Sequence, residues 1–358
     1  MGSSIDFDGV AIIINRPADL LAAVPYLLGF HPSDCFLMAA IDDSRLAGLA
    51  RFDLPDGSED IARVARSCTD VLRRQSIPSA VLIGYGPGQR ITPTMDSVCD
   101  ALAIEGLEVV EMLRCEDGRY WSYACSDPGC CPPEGVPYDV TSHPIAATAV
   151  ANGAVAFPSR DALVDLLAPV TGHEREEMRE ATALARARAH ALLETKEDTY
   201  WFIEGLRHVG ACFDHVDAGR PIPADEVAWL GVLLTGILVR DIALTFAAKR
   251  DYDVCRQFWT EVTRRVEPAY APAPATNLAA LALEAGDGVL ARIAANRALD
   301  ADAGYRFATM ISYALDIGMT PASFAGMDIT GQEEAIMRLA AEHPIGARPI
   351  LPPVPEAS

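Results

Sequence analysis

Residues 80–115 read AVLIGYGPGQRITPTMDSVCDALAIEGLEVVEMLRC, a pattern in which two apolar runs flank an amphipathic one. The apolar runs, 80–84 and 107–115, have the length and composition of strands. Between them, Thr92 and Pro93 predict a helix start, with Thr92 as the cap and Pro93 at the first helical position. The buried stripe of this helix is predicted to be Met95, Val98, Cys99 and Leu102. Strand, helix and strand in this order predict a right-handed βαβ crossover.

The neighbouring segments continue this α/β pattern. Further helices and strands are predicted at Pro17–Leu28, Ser58–Arg74, 36–41 and 46–54. The dipeptide Asp117-Gly118 is a strong two-residue hairpin signal, which folds 119–124 back along 107–115. We therefore predict an α/β (or α+β) domain with a mixed sheet over residues 1–155.

After residue 155 the pattern changes to helices alone. The predicted helices cover 161–167, 174–194, 225–248, 254–266, 276–285, 289–299, 305–317 and 333–342. The segments DIA at 241–243 and NLA at 277–279 begin 277 − 241 = 36 residues apart. This spacing is near the period of TPR-like helical hairpins, with a plain helical bundle as the alternative. We predict an all-α C-terminal domain over 156–343 and a disordered, proline-rich tail over 344–358.

Composition excludes several classes of function. Lys and Arg total 29 against 50 Asp and Glu, so the formal net charge is −21 and nucleic acid or anionic lipid is an unfavourable partner. The longest apolar run, 227–239, is too short for a membrane span, which needs roughly 20 residues. The N-terminus lacks the pattern of a signal peptide, and nine scattered cysteines fit a reducing compartment. A cytoplasmic location is therefore expected.

Three thiols lie close together after the predicted hairpin, where residues 120–135 read YWSYACSDPGCCPPEG. We refer to residues 125–143 as the cysteine loop. Cys125, Cys130 and Cys131 are soft donors that suit zinc, which needs a fourth ligand. If the hairpin turns at Asp117-Gly118, Cys115 pairs near Tyr120 and lies roughly 17 Å from Cys125 at about 3.3 Å per residue. His143 is therefore the preferred fourth ligand, and Asp127 is another candidate.

Two other interpretations of the cysteine loop stay open. Cys130 and Cys131 are adjacent, which suits a strained vicinal disulfide, and Cys125 is placed to pair with either of them. The spacing differs from the usual zinc knuckle, which has two residues between thiols. The three thiols would then be structural, partly buried groups in a rigid loop that covers the end of a strand.

Polar residues beside two predicted turns are weaker candidates. Residues 84–88 lie between a strand and a helix, where phosphate-binding loops occur. Pro87 has no N–H and no lysine follows, so a glycine-rich turn is favoured. His31 and Asp34 follow a helix end, where a capped turn is favoured over a binding site.

A fourth candidate is Arg240, beside Asp241 at the end of an apolar segment. It is either part of a structural ion pair or an anion-binding group. No nucleophile elbow, zinc-protease motif or Walker loop is present in the sequence, which lowers the expectation of catalysis without removing it.

Four segments together resemble a known family: PYLLGFHP at 25–32, WSYACSDPGCCPPEG at 121–135, VRD at 239–241 and AGDG at 285–288. Over roughly residues 16–321 the chain is similar to the bacterial domain-of-unknown-function family 4192, and the cysteine motif is the most specific part. Cys35 stands where a small polar residue is expected. The resemblance implies a single two-part architecture and supplies no activity, cofactor or substrate.

The leading hypothesis is a non-catalytic binding or regulatory module whose helical domain presents a surface to a protein partner. It rests on the hairpin-like helical repeat and on the missing catalytic signatures. The rival is an enzyme or small-ligand binder that uses the crevice at the strand ends, near 84–88 and the cysteine loop, because open sheets bind ligands there. Oligomeric state has no signal in the sequence.

Overall fold

The computed structural model describes residues 3–7, 10–195, 198–247, 250–319, 349 and 351–352. The chain divides into two compact units, Met1–Leu163 and Val164–Ser358. The helix predicted at 333–342 lies outside the described residues, as does most of the tail predicted to be disordered. Within that tail, Pro349 is buried, and the carbonyl of Pro352 accepts a hydrogen bond of 2.7 Å from Arg186.

The N-terminal unit contains a mixed sheet, as the sequence predicts. Its described strands are β1 Ser3–Phe7, β2 Val10–Ile14, β3 Cys35–Asp42, β4 Arg45–Asp53, β5 Ser79–Tyr85, β6 Glu108–Glu116, β7 Arg119–Ser122 and β8 Val136–Pro137. They form one eight-stranded sheet in the order β2-β1-β4-β3-β5-β6-β7-β8. β5 and β6 are parallel, and β3 and β7 run antiparallel to them.

Helices accompany these strands. They are α1 Pro17–Leu28, α2 Ser58–Arg74, α3 Gly88–Ile104, α4 Pro144–Ala151 and α5 Arg160–Asp165, and α5 contains the division between the two units. Side chains alternate between the two faces of the sheet. One face, with Phe36, Met38 and Leu82, shares a hydrophobic core with α2 and α3. The other face carries Cys35, Tyr85 and Cys115, the row on which the candidate site is built.

Helix α3 begins five residues earlier than the sequence predicts. Its cap is Pro87 and its first residue is Gly88, so the prediction of Thr92 as the cap is wrong, and Pro93 lies inside the helix. The reason is packing: Ile91 is fully buried, and its Cγ2 would lie only 2.3 Å from a Cβ on Gly84. Burial of this side chain against β5 extends the helix toward the sheet, despite the hydrogen bond that Pro93 cannot make. The glycine-rich turn therefore leads directly into the helix.

The helical unit contains α6 Gly172–Thr195, α7 Asp198–Asp217, α8 Ala224–Leu233, α9 Ile237–Ala247, α10 Tyr252–Arg265, α11 Pro272–Glu284, α12 Gly288–Ala301 and α13 Arg306–Asp316. The sequence did not predict α7, which contains Gly205 and Gly210. Gly205 has a packing role, because a Cβ there would lie 2.5 Å from Val239 Cγ2 of α9. Local propensity disfavours glycine in a helix, and the tertiary contact overrides it.

The segment predicted as one helix over 225–248 is two helices. The chain turns at Thr235 and Gly236, where the Thr235 hydroxyl bonds the Val232 carbonyl at 2.7 Å. An all-apolar segment has no periodicity that would reveal such a break. No single described helix is long and apolar enough to span a membrane. The consecutive segments Ala224–Leu233 and Ile237–Phe246 reach the required length and hydropathy only when taken together, and the angle between them is 119°.

Of the predicted helical hairpins, α11 and α12 pack against each other, whereas α9 packs against α7 and α11 rather than against α10. The carboxylate of Asp251 caps α10 by accepting from Asp253 N and Val254 N, and that of Asp287 caps α12 by accepting from Leu290 N. The two caps lie 287 − 251 = 36 residues apart, which matches the repeat seen in the sequence. The C-terminal unit is thus all-helical in its described part.

Candidate functional sites in the N-terminal unit

A buried row of thiol and hydroxyl groups crosses three adjacent strands. Cys35 of β3 is the register partner of Tyr85 of β5, which in turn is the partner of Cys115 of β6. Directly paired residues point to the same face of a sheet, so the three side chains are neighbours. Cys115 also pairs with Tyr120 of β7, as the hairpin argument predicted.

The groups in this row are neutral near pH 7. Burial raises the pKa of Cys35 to about 11 and that of Cys115 to about 12, and it raises the pKa of Tyr85 well above its ordinary value. The Tyr138 hydroxyl makes a hydrogen bond with the Cys115 thiol. A thiol that stays protonated is a poor nucleophile and a poor metal ligand. The row is therefore polar and uncharged.

Tyr85 is the one member of the row with an unsatisfied group. Its side chain is 7% exposed, and its hydroxyl oxygen has no hydrogen-bond partner among the described residues. By contrast, the Ser79 hydroxyl at the other end of β5 donates a hydrogen bond of 3.0 Å to the Ile41 carbonyl. Buried polar groups are almost always paired, so an unpaired hydroxyl calls for an explanation.

A pocket of about 350 Å³ lies beyond the ends of β5 and β6, and we call it the strand-end pocket. Its lining residues are Leu21, Pro25, His31, Pro32, Ser33, Asp34, Tyr85, Gly86, Pro87, Cys115, Glu116, Asp117, Gly118, Tyr138 and Val140. Two segments that the sequence singled out separately, 25–34 and 84–88, meet here. They do so because β3 runs antiparallel to β5, which places the start of one beside the end of the other.

The rim of the strand-end pocket is acidic. Asp34 accepts a hydrogen bond of 3.3 Å from Arg90, and Glu116 forms an ion pair with Arg114. The Arg114 guanidinium in turn lies 3.7 Å from the centre of the Trp121 ring. The third carboxylate, Asp117, is exposed and has no side-chain partner among the described residues. One rim carboxylate is thus available to a ligand.

In the cysteine loop, the Sγ atoms of Cys125, Cys130 and Cys131 all lie within 4.8 Å of one another. A turn holds them there: the carbonyl of Asp127 accepts from Cys130 N at 3.1 Å and from Cys131 N at 2.7 Å. The Asp127 carboxylate accepts from Gly129 N at 2.9 Å, which tightens the same turn. The structure therefore brings together the three thiols that the sequence predicted as metal ligands.

The thiols of this cluster differ in acidity. A hydrogen bond from the Asp127 N–H and one from the Cys131 thiol lower the pKa of Cys125. Desolvation and the two neighbouring thiols raise the pKa of Cys131 to about 12. The thiols of Cys130 and Cys131 both donate hydrogen bonds to the Cys125 sulfur.

Trp121 fastens the cysteine loop to the sheet. Its indole N–H donates to the Pro133 carbonyl at 2.9 Å, and its ring lies over Gly135. A Cβ on Gly135 would lie 2.6 Å from the ring, and the residue has φ +81, so glycine is required there on both counts. Arg119 adds a hydrogen bond of 2.8 Å to the Gly135 carbonyl.

His143, the predicted fourth ligand, is not among the donor atoms that cluster with the thiols. It caps α4, where its Nδ1 accepts from Ile145 N at 3.3 Å, and its Nε2 lies 3.3 Å from Asp19 Oδ1. Sequence proximity suggested His143, but the start of α4 fixes its side chain by local capping. The alternative ligand, Asp127, belongs to the turn that holds the cysteines.

The three thiols of the cysteine loop lie outside the strand-end pocket, although Tyr138 and Val140 of the same loop line it. The loop follows the end of β7, which runs antiparallel to β6, whereas the pocket lies at the Asp117-Gly118 turn. None of Cys125, Cys130 and Cys131 is a lining residue of the pocket. The crevice predicted near 84–88 and the cysteine loop therefore corresponds to this pocket through Tyr138 and Val140, not through the thiols.

Two clusters of polar side chains lie in the helical unit. Arg240 bonds Asp241 at 2.7 Å and lies 4.7 Å from the Phe307 ring centre, which supports the ion-pair interpretation. In a second cluster, which was not predicted from the sequence, donor atoms of His208, Cys212 and Glu226 lie within 4.8 Å of one another. The spacing of His208 and Cys212, one helical turn apart, was the available signal. His208 Nε2 lies 2.9 Å from the Glu226 carbonyl, and burial lowers the pKa of His208.

Comparison with known proteins gives one match. A protein-family model described as a domain of unknown function, DUF4192, matches residues 17–322. Neither the curated proteins nor the solved structures contain a significant match to the chain.

Proposed function

The chain belongs to the DUF4192 family of domains of unknown function, and we propose that its N-terminal unit is a non-catalytic module that binds a small molecule in the strand-end pocket. In open sheets with parallel strands, ligands bind beyond the carboxyl ends of the strands. β5 and β6 are such a parallel pair, and the pocket lies at their carboxyl ends. Its volume, about 350 Å³, falls within the range of roughly 300–1,000 Å³ typical of small-ligand sites.

The observation that carries this proposal is the unpaired hydroxyl of Tyr85. Leaving a buried hydroxyl without a partner costs about 1–3 kcal/mol. Its neighbours in the pocket, Cys115 and Tyr138, already bond each other. A ligand with a hydrogen-bonding group offers the partner that the protein itself does not supply.

Binding is favoured over catalysis because the pocket has no activated nucleophile. Cys115, the thiol that lines it, is held in the protonated form by burial. The Tyr85 hydroxyl is likewise kept neutral. Neither group is poised to attack a substrate near pH 7.

A pocket-blocking variant tests the proposal. Ser33 is an exposed lining residue, so Ser33→Trp places an indole at the pocket mouth. The full-length protein is screened by thermal shift against amines, carboxylates, phosphate esters and sugars, and by native mass spectrometry for co-purified ligand. Ser58→Trp, at the exposed start of α2, is the control. We expect ligands that bind the wild type and Ser58→Trp but not Ser33→Trp. A ligand bound equally by all three proteins, or none at all, would contradict the proposal.

A second candidate function is metal binding by the cysteine loop, and the clustering of its three sulfurs favours it. Zinc bonds of about 2.3 Å in a tetrahedral site place sulfurs about 3.8 Å apart, within reach of small side-chain rotations from the observed cluster. The N–H of Asp127 donates to Cys125 Sγ, the type of outer hydrogen bond that orients a ligating thiolate. We propose zinc held by Cys125, Cys130 and Cys131, with a water molecule as fourth ligand.

Elemental analysis tests the metal site. We expect about one zinc per chain in protein purified without chelator, and its loss in Cys130→Ser. Cys99→Ser, which changes a cysteine of α3 outside the loop, is the matched control and keeps the metal. Absence of metal in the wild type, or its retention in Cys130→Ser, argues against zinc binding here.

A further inference from the structure

We infer that the ligand of the strand-end pocket is a small molecule with a cationic amino group at one end and an apolar or aromatic body. This inference rests on the proposed ligand-binding function and names the chemical class of the ligand. Three features of the pocket carry it: the charge of the rim, the apolar walls and the neutral floor.

The rim selects for positive charge. Asp34, Glu116 and Asp117 line the pocket, and among its described lining residues there is no lysine or arginine. His31 is the single basic side chain in that set. An ammonium group therefore gains the attraction of Asp117, the rim carboxylate that has no ion-pair partner among the described residues, and an anion is repelled by it.

Asp117 is the rim carboxylate that is best placed to act. Asp34 and Glu116 already pair with Arg90 and Arg114, but Asp117 has no side-chain partner in the described part of the chain. It sits at the first position of the β6–β7 turn with φ 48, followed by Gly118 with φ 71. This turn brings the exposed residue Asp117 to the edge of the pocket.

The inner part of the pocket suits an uncharged body. Leu21, Pro25 and Val140 provide apolar walls, and Tyr85 with Cys115 forms the neutral floor. The unpaired hydroxyl of Tyr85 offers one hydrogen bond at this end. A ligand that fits both ends has an amine outside and a neutral hydrogen-bonding group inside.

The start of α3 does not favour an anion instead. Although helix N-termini attract anions, Gly88 is not a lining residue of the pocket. The cation nearest to Gly88 is Arg114, whose Nη1 would lie 3.3 Å from a Cβ there, and it is already paired with Glu116. Arg90, in the first turn, is shared between Asp34 and Asp56.

Two probes of similar size and opposite charge test the inference on the full-length protein. Tyramine and 4-hydroxyphenylacetate share a hydroxyphenyl ring and differ in an ammonium against a carboxylate. Isothermal titration measures both, together with putrescine and phenyl phosphate. We expect tyramine to bind at least tenfold more tightly than 4-hydroxyphenylacetate. Tighter binding of either anion than of tyramine overturns the amine assignment but leaves the proposed binding function intact. The same conclusion follows if no amine binds and the wider screen finds a ligand of another class. No binding of any compound in that screen overturns both.

The chain offers a matched pair of variants for the rim. Asp117 and Asp43 both begin two-residue turns with positive φ, 48 and 43, and asparagine tolerates that conformation. Asp43 lies in the β3–β4 turn and is not a lining residue of the pocket. We expect Asp117→Asn to weaken tyramine binding about two- to fivefold, the size typical of an exposed charge pair, and Asp43→Asn to leave it unchanged. Equal affinities in the two variants would overturn the role of Asp117.

Discussion

Tyr85 and Cys115 are register partners on the parallel strands β5 and β6, yet only Cys115 has a hydrogen-bond partner there. Tyr138 bonds the thiol, and the Tyr85 hydroxyl beside it stays unpaired. Two tyrosines of the same pocket thus differ in one contact. This difference makes their hydroxyl groups a matched pair for experiment.

Removal of the two hydroxyls should change stability in opposite directions. Tyr85→Phe removes an unsatisfied buried group, so the free energy of unfolding of the ligand-free protein should rise by about 1 kcal/mol. Tyr138→Phe removes a hydrogen bond to Cys115 and should lower it by about 0.5–1.5 kcal/mol. Urea unfolding of both variants provides the measurement. A loss of stability in Tyr85→Phe would show that its hydroxyl has a partner within the protein.

The packing of Trp121 on Gly135 predicts a large effect of a single methyl group. Gly135→Ala introduces a Cβ 2.6 Å from the ring at a residue with φ +81. Gly106→Ala is the control, because Gly106 has φ +70 and no atom within 4 Å of the added Cβ. We expect a loss of about 1–2 kcal/mol for Gly106→Ala from backbone strain alone. Gly135→Ala should cost about 1–3 kcal/mol more through overpacking. Similar losses in the two variants would mean that the Trp121 contact contributes little.

The sequence predicted those parts of the fold that depend on local pattern. In the predicted apolar stripe of α3, Met95, Val98 and Leu102 are buried and Cys99 is half-buried. The hairpin at Asp117-Gly118 sets the pairing of Cys115 with Tyr120. The 36-residue spacing of the predicted repeat is found between the helix-capping residues Asp251 and Asp287. In each case the prediction depended only on the spacing of residues along the chain.

What the sequence could not predict depends on contacts between distant segments. The early start of α3 follows from Ile91 packing on Gly84, and α7 tolerates Gly205 because Val239 packs there. The strand-end pocket required the register of β3 against β5, which brings 25–34 beside 84–88.

His143 was assigned by proximity in the chain, whereas Asp19 of α1 lies next to it in the fold. The protein partner of the helical unit and the cytoplasmic location stay predictions.

Asp19 should make the stability of the protein depend on pH below about 4. Burial raises the pKa of Asp19. The hydrogen bonds that its carboxylate accepts from Asn15 N and Arg16 N, together with the Arg16 guanidinium, lower the pKa by more, so that it lies below 3.8. The stabilisation is therefore complete above the unfolded-state value and is lost as pH falls through the folded-state value. Asp19→Asn should show a shallower loss of unfolding free energy between about pH 5 and pH 2 than wild type. The control Asp43→Asn, in an exposed turn, should show the wild-type dependence of unfolding free energy on pH. Equal pH dependence in all three proteins would contradict the role of Asp19.

Metal content should separate His143 from the cysteines. Because the His143 imidazole caps α4 and contacts Asp19, His143→Ala should retain the zinc that we propose for the cysteine loop. It should instead lower the unfolding free energy by about 0.5–2 kcal/mol, as loss of a helix cap does. Cys131→Ser should lose the metal, because it removes one of three clustered sulfurs. Elemental analysis and urea unfolding of the two variants test both statements. Loss of zinc from His143→Ala at unchanged stability would make His143 the fourth ligand and would require the start of α4 to rearrange when metal binds.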